Sequence, residues 1–335
     1  MKKSLLALAV LGAFASVASA QSSVTMYGRV DLSVGKNSAP RPADFANPAN
    51  PAGYNAALAL AASKVMQNGS GSRLGMRGNE DLGGGMAAFF NIEHRFNADT
   101  GAVSDPARFW TGRSIVGLSG GFGRVSLGHE YTTAFLGSQL INDPWGWDTV
   151  VASTGTAGIT ALGIGKVRND SALTYNFAAA GFSFGAQIAE ATDAINNFQK
   201  RPMNVSAGYA AGPVALNMGY ELTGAQAAAK EKLLSLGGTF NMGVVKLGAA
   251  YMKGTTFANV SRKGYLVTAA APMGQGEFRA AIGKRRVGNV DDINLVAVGY
   301  HYALSKRTTV YADFANNNKL ATQKTAYDFG LKHNF

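Results

Sequence analysis

Arginines and carboxylates set in alternating runs are the chemically suggestive feature of this chain. Arg73 and Arg77 stand opposite Leu74 and Met76 in one run, and Asn91, Glu93 and Arg95 stand opposite Phe90 and Ile92 in the next. Arginine stays protonated at any relevant pH and presents a planar fork to carboxylate or phosphate. Fixed charges along a passage with low-dielectric walls concentrate their field on whatever passes. That chemistry sorts ions and makes no bonds. A second concentration lies where the alternation stops, in Tyr131–Val167. It holds Trp145 and Trp147, two of the three tryptophans, together with Asp143 and Asp148. A connection this long without regular structure is uncommon and usually functional. It reads as a loop folded into the mouth of a β-barrel, narrowing a water-filled pore, or as an ordinary surface excursion. Length alone does not separate the two, so the flanking strands decide.

Little else offers chemistry. A hydrolase needs a nucleophile with a positioned base. His94, His129, His301 and His333 are scattered, no nucleophile motif accompanies them, and their spacing suits no metal. No metal site and no cofactor is expected. Histidine titrates near neutrality, so His129 is a candidate pH-sensitive group; the plainer reading is a polar wall residue. The chain has no cysteine, which excludes disulfides and thiol chemistry. The formal charge is +11, or +9 without Lys2 and Lys3. Such an excess suits nucleic acid, anionic lipid or anionic solutes. The basic residues are spread among strands, which argues against a nucleic-acid groove.

The elements that must position these groups are short and extended. Residues 1–20 read as an export signal: Lys2 and Lys3, an apolar core Leu5–Phe14, and the small-residue site Ala18-Ser19-Ala20. A retained membrane helix competes, but the core is too short to span comfortably. Beyond residue 20 no apolar run approaches the ~20 residues of a membrane helix. Residues 21–335 read as one domain of alternating runs, including Gln21–Lys36, Ser70–Asp81, Met86–Asn97, Ala107–Ser119 and Arg124–Tyr131. A Pro/Ala/Asn-rich first loop, 37–69, interrupts them, with a short helix expected over Asn55–Gln67 capped by Asn55. From Arg168 to Phe335 paired runs follow with little variation. The total is about 16 strands, joined alternately by very short turns and longer polar loops, as in outer-membrane barrels.

A soluble sandwich also alternates, with its apolar face inward. Strand number, turn asymmetry and tyrosines near strand ends (Tyr209, Tyr220, Tyr251, Tyr265, Tyr327) favour an outward apolar face. The expected fold is all-β: a 16-stranded antiparallel transmembrane β-barrel, about 16 strands being the count above.

Four stretches resemble the general porin family of Gram-negative outer membranes. Ser72–Gly85 resembles its second strand and turn, Arg168–Tyr175 the strand after its constriction loop, and Leu304–Tyr311 its penultimate hairpin. Gly330–Phe335 resembles its terminal strand. The resemblance implies a homotrimer of barrels whose third extracellular loop, here about 131–167, folds inward. It fits best the branch with basic constrictions. Arg73 and Arg168 fall where wall arginines are expected; Arg77 and Arg29 would share their lumen, and Glu93 matches an acidic wall position. Arg113 stands near a further arginine position, while Gly128-His129-Glu130 replaces the Gly-Arg of many members. A Pro-Glu-Phe-Gly-like loop motif is missing between 131 and 150. Phe335 would be the signal read by the barrel-insertion machinery.

The function implied is passive diffusion of small hydrophilic solutes and ions across the outer membrane. Anions should be preferred unless Glu80, Glu93, Glu130, Asp143 and Asp148 neutralise the arginines. A specific porin for phosphate or organic anions is the alternative within channels, and a barrel enzyme a remote one. Lys284, Arg285 and Arg286 suggest contact with lipopolysaccharide phosphates or a plain solvated loop end.

Overall fold

In a computed structural model the structure describes residues 23–37, 66–152, 165–191, 200–223, 231–256, 259–320 and 324–335. The export signal, most of the first loop and residues 153–164 of the long loop lie outside the described residues. One antiparallel sheet holds every strand. It begins with β1 (Ser23–Lys36), the short β2 (Met66–Asn68), β3 (Ser72–Gly83), β4 (Met86–Asn97), the short β5 (Ala102–Val103), β6 (Arg113–Gly120) and β7 (Gly123–Tyr131). It continues with β8 (Arg168–Ala179), β9 (Phe182–Ala189), β10 (Met203–Ala211), β11 (Val214–Leu222) and β12 (Lys232–Asn241). It ends with β13 (Lys246–Thr255), β14 (Ser261–Met273), β15 (Gly276–Val287), β16 (Val290–Ala303), β17 (Thr308–Asn317) and β18 (Thr325–Asn334). Without β2 and β5 these are 16 long strands.

The sheet closes on itself. β18 pairs with β1 from Arg29↔Asn334 to Lys36↔Tyr327. Phe335 completes the seam, its N–H donating to the Gly28 carbonyl at 3.1 Å and its carbonyl accepting the Gly28 N–H at 3.0 Å. Short turns lie at one end of the barrel. The β8–β9 turn, for example, is Ala180-Gly181, with φ +50° and +83°. Two left-handed residues match the twist of a tight hairpin, and glycine takes the second without a Cβ penalty. Longer connections lie at the other end, except between β15 and β16.

Alternation sends apolar side chains out and polar ones in. Val267, Ile282 and Val296 stand in register on β14, β15 and β16, and all three are exposed. Asp31, Ser33, Thr174, Asn217 and Asp328 are buried within. This reverses a soluble domain and fits a barrel in lipid. One part of the interior departs from the pattern. Leu233, Met252, Leu266, Ile293 and Leu295 on β12–β16 are buried together, with Trp145 and Val151 from the long loop and Leu320 packed on them.

That loop folds into the barrel. After Thr132 it makes a π-helical turn, Phe135–Gln139, and later a single helical turn, Thr149–Ala152. Inside a barrel its polar groups need partners, and wall side chains supply them. Asn204 accepts the N–H and hydroxyl of Thr133 at 2.7 and 2.8 Å, and Gln139 donates to Glu221 at 3.0 Å. Ser138 donates to Asn217 at 3.1 Å. Trp145 donates through Nε1 to Asp313 at 2.7 Å, and the Val150 N–H reaches Asp328 at 3.3 Å. Wall glycines let the loop lie close. A Cβ on Gly237 would stand 2.2 Å from Asn142 Nδ2, and one on Gly219 would stand 3.0 Å from Ser138 Cβ.

Two expected elements differ. The strand expected from Ala107 begins at Arg113, because 104–112 is fastened beside β4. Ser104 N–H bonds the Arg95 carbonyl at 3.1 Å, Thr111 Oγ1 accepts the Arg95 N–H at 3.1 Å, and Gly112 N–H bonds the Glu93 carbonyl at 2.8 Å. The helix expected to end at Gln67 gives way to β2, which pairs with β1; its residues 55–65 lie outside the described residues. Gly237→Leu is expected to unseat the loop while leaving the wall ladder intact, since overpacking costs ~1–3 kcal/mol. Single-channel conductance should rise, and the strand content read by circular dichroism should be unchanged.

Candidate functional site

A cavity of about 1480 Å³ lies between the long loop and the walls of β1, β3, β4 and β6–β8. Register brings its charges together. Arg29 on β1 stands opposite Arg73 on β3, and Arg73 stands opposite Arg95 on β4, so three arginines lie side by side. Like charges placed directly across strands repel, and each is partly offset. Arg29 bonds Asp148 at 2.9 Å, Arg95 bonds Glu93 at 2.8 Å, and Arg73 donates to the Gly71 carbonyl at 2.9 Å.

Tyr131, the last residue of β7, gathers the remaining cations. Its hydroxyl accepts Arg95 Nη2 at 2.7 Å and also Arg168 Nη2. The guanidinium carbons of Arg168 and Arg113 lie 4.0 and 5.0 Å from its ring centre. Arg168 faces Tyr131 in register and donates through Nε to the Gly112 carbonyl at 2.6 Å. Arg77 stacks over Tyr27 at 5.3 Å, and Tyr27 donates to Glu93 at 3.1 Å. Among described residues the cavity is lined by Arg29, Arg73, Arg77, Arg95, Arg108, Arg113, Arg168 and Lys166. Against them stand Glu93, Asp99, Asp105 and Asp148, so eight basic groups meet four acidic ones.

The chain matches the model of the Gram-negative porin family over residues 7–321. It belongs to that family. An outer membrane porin of Bordetella pertussis is 29% identical over 395 residues, covering 100% of both chains. Outer membrane porin protein 32 of Delftia acidovorans is 31% identical over 94% of this chain and 89% of its own. The solved anion-selective porin from Comamonas acidovorans superposes with a TM-score of 0.71 at 25% identity, over 94% of this chain and 100% of its own. This porin is therefore an integral protein of the outer membrane and forms a channel.

Most sequence-expected residues meet in this porin's cavity: Arg29, Arg73, Arg77, Arg113, Arg168, Glu93, Asp148 and His129. Glu130 and Asp143 do not line it. A β-bulge between Gly128 and Glu130, with Gly128 at φ +126°, turns Glu130 inward against the wall. There it accepts Arg113 Nε and the Tyr131 N–H, both at 2.7 Å. Asp143 is buried in the loop and accepts the N–H groups of Trp145 and Trp147, both at 2.8 Å. Trp147 and Thr149 carry φ of +65° and +64°, conformations that cost bulky residues of order 1–3 kcal/mol. Asp143 thus braces a strained turn and adds no charge to the lumen surface. Burial pushes its carboxyl up to about 6. His129 bonds Asp170 at 2.5 Å, and Arg108 holds the same carboxylate at 2.9 Å. Phe335 lies at the wall seam, away from the cavity.

Sequence assigned no site role to Arg95, Arg108, Tyr131 or Asp170. Arg95 shares the polar face of Glu93 and was available to that argument. Tyr131 became a hub only through register. Tyr131→Phe should keep the ring contacts but lose two hydrogen bonds to guanidinium groups, worth ~1.5–3 kcal/mol each. Its thermal midpoint should fall, and that of Tyr131→Leu should fall further.

Proposed function

We propose that this porin passes small hydrophilic solutes and ions by passive diffusion and prefers anions, without catalysing a reaction. The observation that carries the preference is the row Arg29–Arg73–Arg95, set in a cavity whose basic groups outnumber its acidic ones two to one. Arg113, Arg168 and Arg77 extend the positive wall. Glu93 and Glu130 hold arginines in place, and Asp148 supplies the loop-side carboxylate. An anion entering this field replaces water around guanidinium groups held apart by their own repulsion. Replacing Arg73 and Arg168 together by alanine should shift the reversal potential under a potassium chloride gradient toward the cation side. An unchanged potential would remove these residues from the selectivity filter.

His129 lines the same wall against Asp170 and is its candidate pH-sensitive group. Any dependence of anion preference on pH should vanish in His129→Gln. A flat profile in the parent would make His129 a structural wall group.

Further roles complete the proposal. Residues 1–20 are removed on export, Phe335 serves the insertion machinery, and three barrels form a homotrimer that runs intact on unheated detergent gels. A single-barrel mobility would contradict the trimer, and undiminished insertion of a Phe335→Ser chain would contradict the signal. On the outer face Lys253, Lys263 and Arg286 stand in register across β13–β15, with Lys284 opposite Tyr265, and all four basic residues are exposed. This row suits lipopolysaccharide phosphates. Less lipopolysaccharide should copurify with a Lys263→Ala, Lys284→Ala porin.

A further inference from the structure

The loop side of the cavity is largely apolar where a transverse ion filter would carry carboxylates. Among its described residues the loop lines the cavity with Phe135, Leu136, Leu140 and Trp147 beside Thr149 and Lys166, and its one carboxylate there, Asp148, is engaged by Arg29 at 2.9 Å and faces Lys332 at 3.8 Å. Leu136 is 41% exposed, although it sits inside the barrel. It is also the residue shared between this cavity and a second one of about 520 Å³ that reaches Arg124 and Ile141. Leu136 thus borders both spaces.

Tyr131, which carries Arg95 and Arg168 on its hydroxyl, stacks on Phe135 at 5.7 Å, and Phe135 meets Trp147 edge-on at 5.4 Å. This packed file of rings ties the guanidinium wall to the loop, so guanidinium forks and the apolar side chains of Leu136, Leu140 and Trp147 line one cavity of about 1480 Å³. A hydrated inorganic anion gains from the forks alone. An anion with an aliphatic or aromatic body gains from the forks and also covers Leu136, Leu140 and the Trp147 edge, removing apolar surface from water.

We infer that the constriction favours amphipathic organic monoanions, a carboxylate carried on a short aliphatic or aromatic body, over inorganic anions of equal charge. This rests on the anion-preferring reading of the same cavity and names its substrate class. The test uses the purified, assembled porin in planar bilayers, with benzoate, acetate and chloride as probes in bi-ionic reversal-potential measurements. The benzoate-to-chloride and acetate-to-chloride permeability ratios should each exceed the ratio of mobilities in water, benzoate by more. The benzoate-to-chloride ratio should fall on the order of fourfold in Leu136→Ser, as expected for losing contact with one methylene-sized group. Channel openings in potassium chloride show that the variant has folded. A parent ratio at or below the mobility ratio overturns the inference, with the anion preference still standing if chloride exceeds potassium. A high ratio unchanged in Leu136→Ser overturns the loop-side assignment. A parent that passes potassium over chloride overturns the underlying reading and this one with it.

Discussion

Every backbone N–H and C=O in a hydrocarbon layer must find a partner within the protein, and only a closed sheet or a helix achieves this. The seam between β1 and β18, finished by the paired bonds of Gly28 and Phe335, is where this chain meets that constraint. Closure fixes which face is inside. It also creates a difficulty, because a barrel of this strand number encloses more space than side chains alone fill. The long loop answers it. Its own polar groups then fall under the same rule, which is why Asn204, Asn217, Glu221, Asp313 and Asp328 meet it from the wall. Apolar packing of Trp145 and Val151 on Leu233 and Ile293 adds a dry contact to this polar seam.

With one side of the barrel committed to holding the loop, the opposite side is left to face the lumen. There the structure tolerates a row of like charges that would be unfavourable in most sheets. Two features make it tolerable. Glu93 and Asp148 take one arginine each, and Tyr131 binds two guanidinium groups through oxygen and faces two with its ring. Tyr131 also opens the loop, so the residue that orders the basic wall begins the segment that narrows the pore. On the proposed reading, the repulsion left over is what a passing anion relieves.

Strand identity was legible because it depends on period-two alternation and glycine turns, both local. Tyr209, Tyr220, Tyr265 and Tyr327 read outward from sequence and are exposed on the barrel. What depended on register was not legible. The contiguity of Arg29, Arg73 and Arg95 spans three strands, so Arg95, placed on the face of Glu93 by alternation, gained no pore role from sequence. Asp143 looked like a pore charge by composition. It is a backbone acceptor because the strained Trp147 turn needs one. The missing strand start at Ala107 has a similar origin, since tertiary bonds from 104–112 to β4 override an alternating pattern. The inward apolar patch of β12–β16 was hidden because alternation says which residues share a face and says nothing of what covers it.

On the proposed reading the basic wall governs what crosses. The reversal potential of the unmodified, assembled porin in a planar bilayer between concentrated and dilute potassium chloride tests this without any substitution. A governing basic wall gives a potential on the chloride side. A potential on the potassium side would mean that Asp148, Glu93 and the other acidic groups dominate the narrow point, and would contradict it.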